Sequence, residues 1–145
     1  MGINLKQNAD LSMGLQGTDL DEGGFIVLSF PYNATAQATI LAIGGTVIKR
    51  RMVVVDIKGV PEVITSNPVT ASIFKSASGI ALGTGPVLHT GTFNCQGTAA
   101  TNQTLALSAT SGVLDVAAGS RIGVVISGAP GVAGAGCITV TLAPA

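Results

Sequence analysis

The chain has 145 residues, of which 10% are charged and 3% aromatic, with 20 glycines, no tryptophan and a formal net charge of zero. That length suits one domain with a sizeable core, but an ordinary soluble domain carries about 25% charged residues. Neutrality argues against bulk nucleic-acid binding, which needs a basic surface to displace counterions from phosphate, and no run approaches the roughly 18 apolar residues of a spanning helix.

Residues 1–22 are polar and non-periodic, and end in the acidic stretch Thr18-Asp19-Leu20-Asp21-Glu22. With one basic and four acidic residues this segment carries −3, which leaves the remainder at +3. It has no apolar core of the secretory kind, so no export signal is expected. The break at Gly23-Gly24 divides an N-terminal arm, residues 1–24, from a body, residues 25–145. The arm reads as a segment that gains order on a partner.

Strand signals begin at Phe25–Phe30, an apolar run closed by Pro31, with Phe25 and Phe30 expected inside. Ala38–Ile43 follows, then a turn at Gly44-Gly45. The longest run is Thr46–Lys58. Period 2 puts Val47, Val53, Val55 and Ile57 on the core face, and Ile48, Arg50, Met52, Val54, Asp56 and Lys58 outside. Gly59 and Pro61 are expected to end it. Val69–Lys75 alternates with Val69, Ala71 and Ile73 on one face. Short runs at Ile80–Leu82, Pro86–His89 and Thr92–Cys95 lead to Gln103–Ser108, with Leu105 and Leu107 inward. Arg121–Ser127 turns Ile122, Val124 and Ile126 inward, and Gly136–Leu142 does the same with Ile138, Val140 and Leu142. Between them, the glycines of 128–136 suit a loop and are too few for a collagen helix. Eight or nine short strands separated by turn residues predict an all-β fold, closed as a β-sandwich of jelly-roll type.

Little in the chain points to chemistry. His89 is the only histidine, no G-x-S-x-G motif surrounds a serine, and the body holds only Asp56, Glu62 and Asp115 as carboxylates. No enzyme activity, catalytic residue or cofactor is expected. Two cysteines, Cys95 and Cys137, stand 42 positions apart. Without an export signal they are expected as free thiols, and with a single histidine they are too few for a structural metal site. The glycines at 44–45 and 83–85 do not open helices, so they lack the amide cradle of a phosphate loop. Asn33-Ala34-Thr35 and Asn102-Gln103-Thr104 match the glycosylation pattern only as expected in a threonine-rich chain.

Lys49-Arg50-Arg51 is the only basic cluster. It reads either as a solvated strand end or an edge guarded against aggregation by charge, or as a contact for an acidic partner, with Asp19, Asp21 and Glu22 of a neighbouring arm as a candidate. The cluster is too small for a nucleic-acid site and has no aromatic platform beside it. So few charges leave two kinds of exterior, a neutral polar coat or one covered by other chains. Both suit a protein that assembles.

The stretches Val69–Ala81, Gln103–Ser108, Val116–Val125 and Cys137–Pro144 resemble the small β-rich decoration (cement) and head proteins of tailed bacteriophages. Ser120 stands where an acidic residue is frequent in that pattern. The resemblance covers roughly residues 46–145. It implies a jelly-roll-like body, commonly trimeric, that sits on the outer capsid surface of a virion and bridges subunits of the major capsid protein, after synthesis in the host cytoplasm. The alternative is a receptor- or glycan-binding module of a head fibre or tail, which the scarcity of aromatic side chains disfavours.

Overall fold

The computed structural model describes residues 24–34 and 39–145, so the arm with Asp19, Asp21 and Glu22 lies outside the described residues. Among the described residues there are nine strands and no helix: β1 Ile26–Ala34, β2 Thr39–Val47, β3 Met52–Val63, β4 Val69–Ser76, β5 Phe93–Asn94, β6 Gln103–Thr104, β7 Asp115–Val116, β8 Arg121–Gly128 and β9 Gly134–Pro144. They form two sheets of antiparallel strands. One runs β1-β9-β3-β6, with β7 also on β3, and the other runs β2-β8-β4-β5. First pairs with ninth in one sheet and second with eighth in the other, so the chain crosses between sheets as it winds inward. That is the jelly-roll path, and the expected all-β sandwich is what the chain forms.

The core lies between the sheets. Phe30 and Tyr32 of β1, Met52, Val54 and Ile57 of β3, and Ile138, Val140 and Leu142 of β9 face Val69, Ala71 and Ile73 of β4 and Ile122, Val124 and Ile126 of β8. The alternation read for β4, β8 and β9 holds at every one of these positions. Leu105 is buried next to β6 and Leu107 packs against the same core.

The third strand departs from simple alternation. Met52 and Val54, expected outside, are buried, and Val55, expected inside, is 41% exposed. The register explains it. Thr141 pairs with Asp56 while Leu142 pairs with Val54, so Val55 is the extra residue of a β-bulge. A bulge shifts the two-residue phase by one, and the side chains before it change faces. Beyond it Ile57 is buried as expected. Ile48, expected outside, is also buried.

Three expected strand ends are not ends. The first strand continues through Pro31, which pairs opposite Cys137. β1 is an edge of its sheet, where a residue without an N–H is tolerated. Gly44-Gly45 makes a register shift within β2 instead of a turn, the pairing moving from Gly44↔Gly123 to Thr46↔Ile122. Gly59 does not stop β3. It lies against the Phe93 ring, which an added Cβ would strike, so the glycine there makes room for an aromatic side chain. Phe25 precedes β1 and is 39% exposed, contrary to the expected burial. Ile80–Leu82 forms no strand, and Val87 and His89 make only isolated bridges, to Phe74 and Leu107.

Candidate interaction surface

The basic cluster lies exposed in the connection between β2 and β3, at the ends of the two strands and not within either. Buried Ile48 and Met52 bracket it. The Ile48 amide donates to Ser120 O at 2.8 Å, and the Gly119 amide donates to Ile48 O at 2.7 Å. These anchors force residues 49–51 outward in a bend.

The three side chains part company there. Arg51 reaches Asp115 in a two-pronged contact, Nε to Oδ1 at 2.9 Å and Nη2 to Oδ2 at 2.6 Å. The hydrogen bond from Arg51 holds the Asp115 carboxyl below its usual range. Lys75 joins from β4, donating to Gly112 O at 2.8 Å and to Asp115 O at 2.5 Å. Burial lowers the Lys75 ammonium pKa, with the Asp115 charge opposing. Together the two cations fasten the 112–115 segment to the β2–β3 connection and to β4. Arg50 instead donates from Nη2 to Gly24 O at 3.2 Å. Among the described residues, neither Lys49 nor Arg50 is paired with a carboxylate; the ion pairs are Arg51–Asp115 and Lys58–Asp56.

Lys49 and Arg50 line a groove of about 430 Å³. Its apolar walls are Phe25 just before β1 with Ile26 and Leu28 at its start, and Val47 at the end of β2 with Ile48 just after it. These strands are the outer strands of their sheets, so the groove is the opening between the sheets at one corner. Phe25, Ile26 and Val47 are 39%, 37% and 54% exposed there, and Val27 on the outer face is 61% exposed. A second apolar group, Val63, Ile64 and Val132 at 54%, 41% and 59%, sits at the opposite end. The pairings Ile26↔Leu142 and Ala135↔Val63 fix these groups at opposite ends of β9. None of these positions stands out in the sequence, where an apolar residue in a strand is read as core.

His89 is buried, with Nε2 accepting from the Ile73 amide at 2.9 Å and Nδ1 facing Thr90 O at 3.4 Å. An accepting Nε2 makes the ring the neutral Nδ1–H tautomer, and burial lowers its pKa. The ring thus links β4 to the 88–91 segment. Cys95 and Cys137 are free thiols. Burial pushes the Cys95 thiol up, with Tyr32 opposing. The Tyr32 hydroxyl lies buried nearby without a well-formed hydrogen bond, and burial raises it as well. The described residues contain no cluster of metal-ligating side chains and no helix long and apolar enough to cross a membrane.

The fold and this surface define a jelly-roll sandwich with apolar groups exposed at both ends. No protein-family model matches the chain, and none of the curated proteins matches it. Among solved structures, the chain is similar to one from the structure described as "Bacillus endospore appendages form a novel family of disulfide-linked pili". The match has 21% identity and a TM-score of 0.39, covering 83% of this chain and 89% of that one. A likeness at that level carries no argument about this chain.

Proposed function

We propose that this protein is a non-enzymatic structural subunit of a phage virion, a homo-oligomer, commonly a trimer, that decorates the outer capsid surface and cements it by bridging subunits of the major capsid protein. The observation that carries the reading is the pair of apolar groups left exposed at opposite ends of the sandwich, Phe25, Ile26, Val27 and Val47 at one and Val63, Ile64 and Val132 at the other. Apolar side chains left exposed in groups on a body with so few charges are the kind that other chains cover. Two sticky ends suit bridging, because engagement of one raises the effective concentration of the other at a neighbouring site. The resemblance of the strand sequences to decoration proteins supplies the virion setting. The glycan-binding alternative has less support, since Phe30, Tyr32 and Phe93 are spent in the core and Phe25 alone of the aromatic side chains is exposed.

Light scattering and co-sedimentation with capsids test the reading. The expected result is a mass that is a multiple of the 14.3 kDa chain, together with capsid binding. Val27→Lys at one end or Val132→Lys at the other should abolish capsid binding while leaving the melting temperature unchanged. A monomer that binds no particle overturns the proposal.

A further inference from the structure

Between β4 of one sheet and β3 of the other, two short stretches, residues 86–90 and 103–108, close the side of the sandwich. The first lies antiparallel on β4. The Lys75 amide donates to Pro86 O at 3.2 Å and the Leu88 amide to Ile73 O at 2.9 Å, with Phe74 opposite Val87. The second pairs with β3 through β6, and its Leu105 amide donates to Ile57 O at 3.0 Å. The two stretches also join each other. The Thr90 amide donates to Ala106 O at 2.8 Å, the Ser108 amide donates to Leu88 O at 3.0 Å, and His89 stands opposite Leu107. A line of main-chain hydrogen bonds thus runs from one sheet to the other.

One link in that line is irregular. In an antiparallel ladder, the two residues of a hydrogen-bonded pair exchange both bonds. Ile73 accepts from Leu88 but does not donate back to it, because the Leu88 carbonyl has turned to Ser108. The Ile73 amide donates instead to Nε2 of His89, at 2.9 Å. The ring takes the place of a main-chain carbonyl where the strip of residues 86–90 changes partners. Ile73 and Leu88 are fully buried there and His89 nearly so, and a buried amide needs an acceptor from the protein.

We propose that His89 is an acid-released latch: when Nε2 takes up a proton, residues 86–90 come away from β4 and the side of the sandwich opens over Leu88, while the two sheets stay folded. A protonated ring donates from both nitrogens, so Nε2–H meets the N–H of Ile73, donor against donor. That leaves a buried amide without an acceptor, and the charged ring regains its solvation only by leaving the site. Burial already disfavours the charged ring in the closed form. The elements packed around it offer no carboxylate to offset the charge. Residues 86–91 and 103–108 hold no other ionisable side chain, β5 holds none, and β4 holds only Lys75, whose ammonium donates to Gly112 O and Asp115 O. The Asp115 carboxylate is taken by Arg51, and on β3 Asp56 and Lys58 pair with each other. The remaining contact of the ring, Nδ1 with Thr90 O, lies within the strip and moves with it. The latch rests on these contacts and not on the virion reading.

Amide hydrogen exchange on the unmodified full-length chain tests the latch. It is read by nuclear magnetic resonance at about pH 7.5 and about pH 5, either side of the ordinary histidine pKa, and corrected for the intrinsic pH dependence of exchange. The amides of Ile73, Leu88, Thr90 and Ser108 should lose about tenfold in protection across that range, because protonation favours the opened form. At the lower pH they should exchange at least about tenfold faster than the amides of Ile138 and Val140 in β9, because the opening is local. His89→Gln, which keeps an acceptor but cannot titrate, should remove the pH dependence at the four amides. Unchanged protection there at the lower pH overturns the proposal. Protection equal to that of β9 overturns it too, since only unfolding of the whole chain would then expose the strip. A His89→Gln protein that keeps the native pH dependence has the same force. Nitrogen-15 shifts of the native ring give a reading that needs no variant. Nε2 should be the bare nitrogen at about pH 7.5, and a proton on Nε2 at that pH would refute the latch.

Discussion

At the scale of single residues, the buried polar group with the clearest consequence is His89. Its neutral ring accepts a hydrogen bond from Ile73 in the interior, and burial depresses its pKa below the ordinary 6.5. The unfolded chain therefore takes up the proton first. Stability from this group is complete above about pH 6.5 and is lost as the pH falls through that value toward the lower folded-state pKa. No other histidine is present to blur the window. Melting curves should show the transition temperature falling between about pH 7.5 and about pH 5, and His89→Gln, which keeps an acceptor but cannot titrate, should flatten that slope. Gly59 makes a second residue-scale case. A Cβ there would meet the Phe93 ring, which itself stands edge-on to Tyr32 with centroids 5.8 Å apart. Gly59→Ala should cost about 1–3 kcal/mol by overpacking, read as a lower denaturant midpoint. The sequence shows a glycine at this position, and only the packing shows why.

At the scale of elements, β3 separates what alternation can reveal from what it cannot. Four consecutive positions, Met52 to Val55, are apolar, so composition cannot say which of them face inward. The bulge at Val55 decides it. Val54→Ala should cost about 2 kcal/mol, the transfer of two methyl groups plus the cavity they leave. Val55→Ala should stay within about 0.5 kcal/mol. Equal costs, measured by chemical denaturation, would place the bulge elsewhere. In β4, β8 and β9 apolar residues at every second position alternate mostly with polar or small ones, Phe74 and Val125 excepted, and there the faces were readable from the sequence. β9 also carries the architecture. It lies between β1 and β3 and supplies Ile138, Val140 and Leu142 to the core. Removal of residues 134–145 should leave a chain with no cooperative melting transition by circular dichroism.

At the scale of the whole molecule, every sheet joins strands distant in sequence, with β1 on β9 and β2 on β8. Such pairing closes long loops before contacts repay the entropy. Folding should therefore take milliseconds to seconds, in the range of all-β sandwiches, and stopped-flow refolding monitored by far-ultraviolet circular dichroism can measure it. The apolar groups at the two ends also belong to this scale. Phe25, Ile26 and Val63 lie in or beside strands and look like core residues in the sequence, yet each is more than a third exposed in the folded chain.

The sequence by itself determined the class of fold. Short alternating runs punctuated by glycine and proline can bury their apolar faces only as paired sheets, and three of the long strands showed their inward faces directly. It also marked Lys49, Arg50 and Arg51 as unusual, because charge is so scarce in this chain. Only the tertiary structure divided that cluster, sending Arg51 to Asp115 and leaving Lys49 and Arg50 on an open groove. The reason is that an ion pair between residues 64 positions apart and a gap between two sheets both depend on how the sheets are set against each other. Local alternation carries no record of that placement, nor of a bulge that changes faces without changing composition.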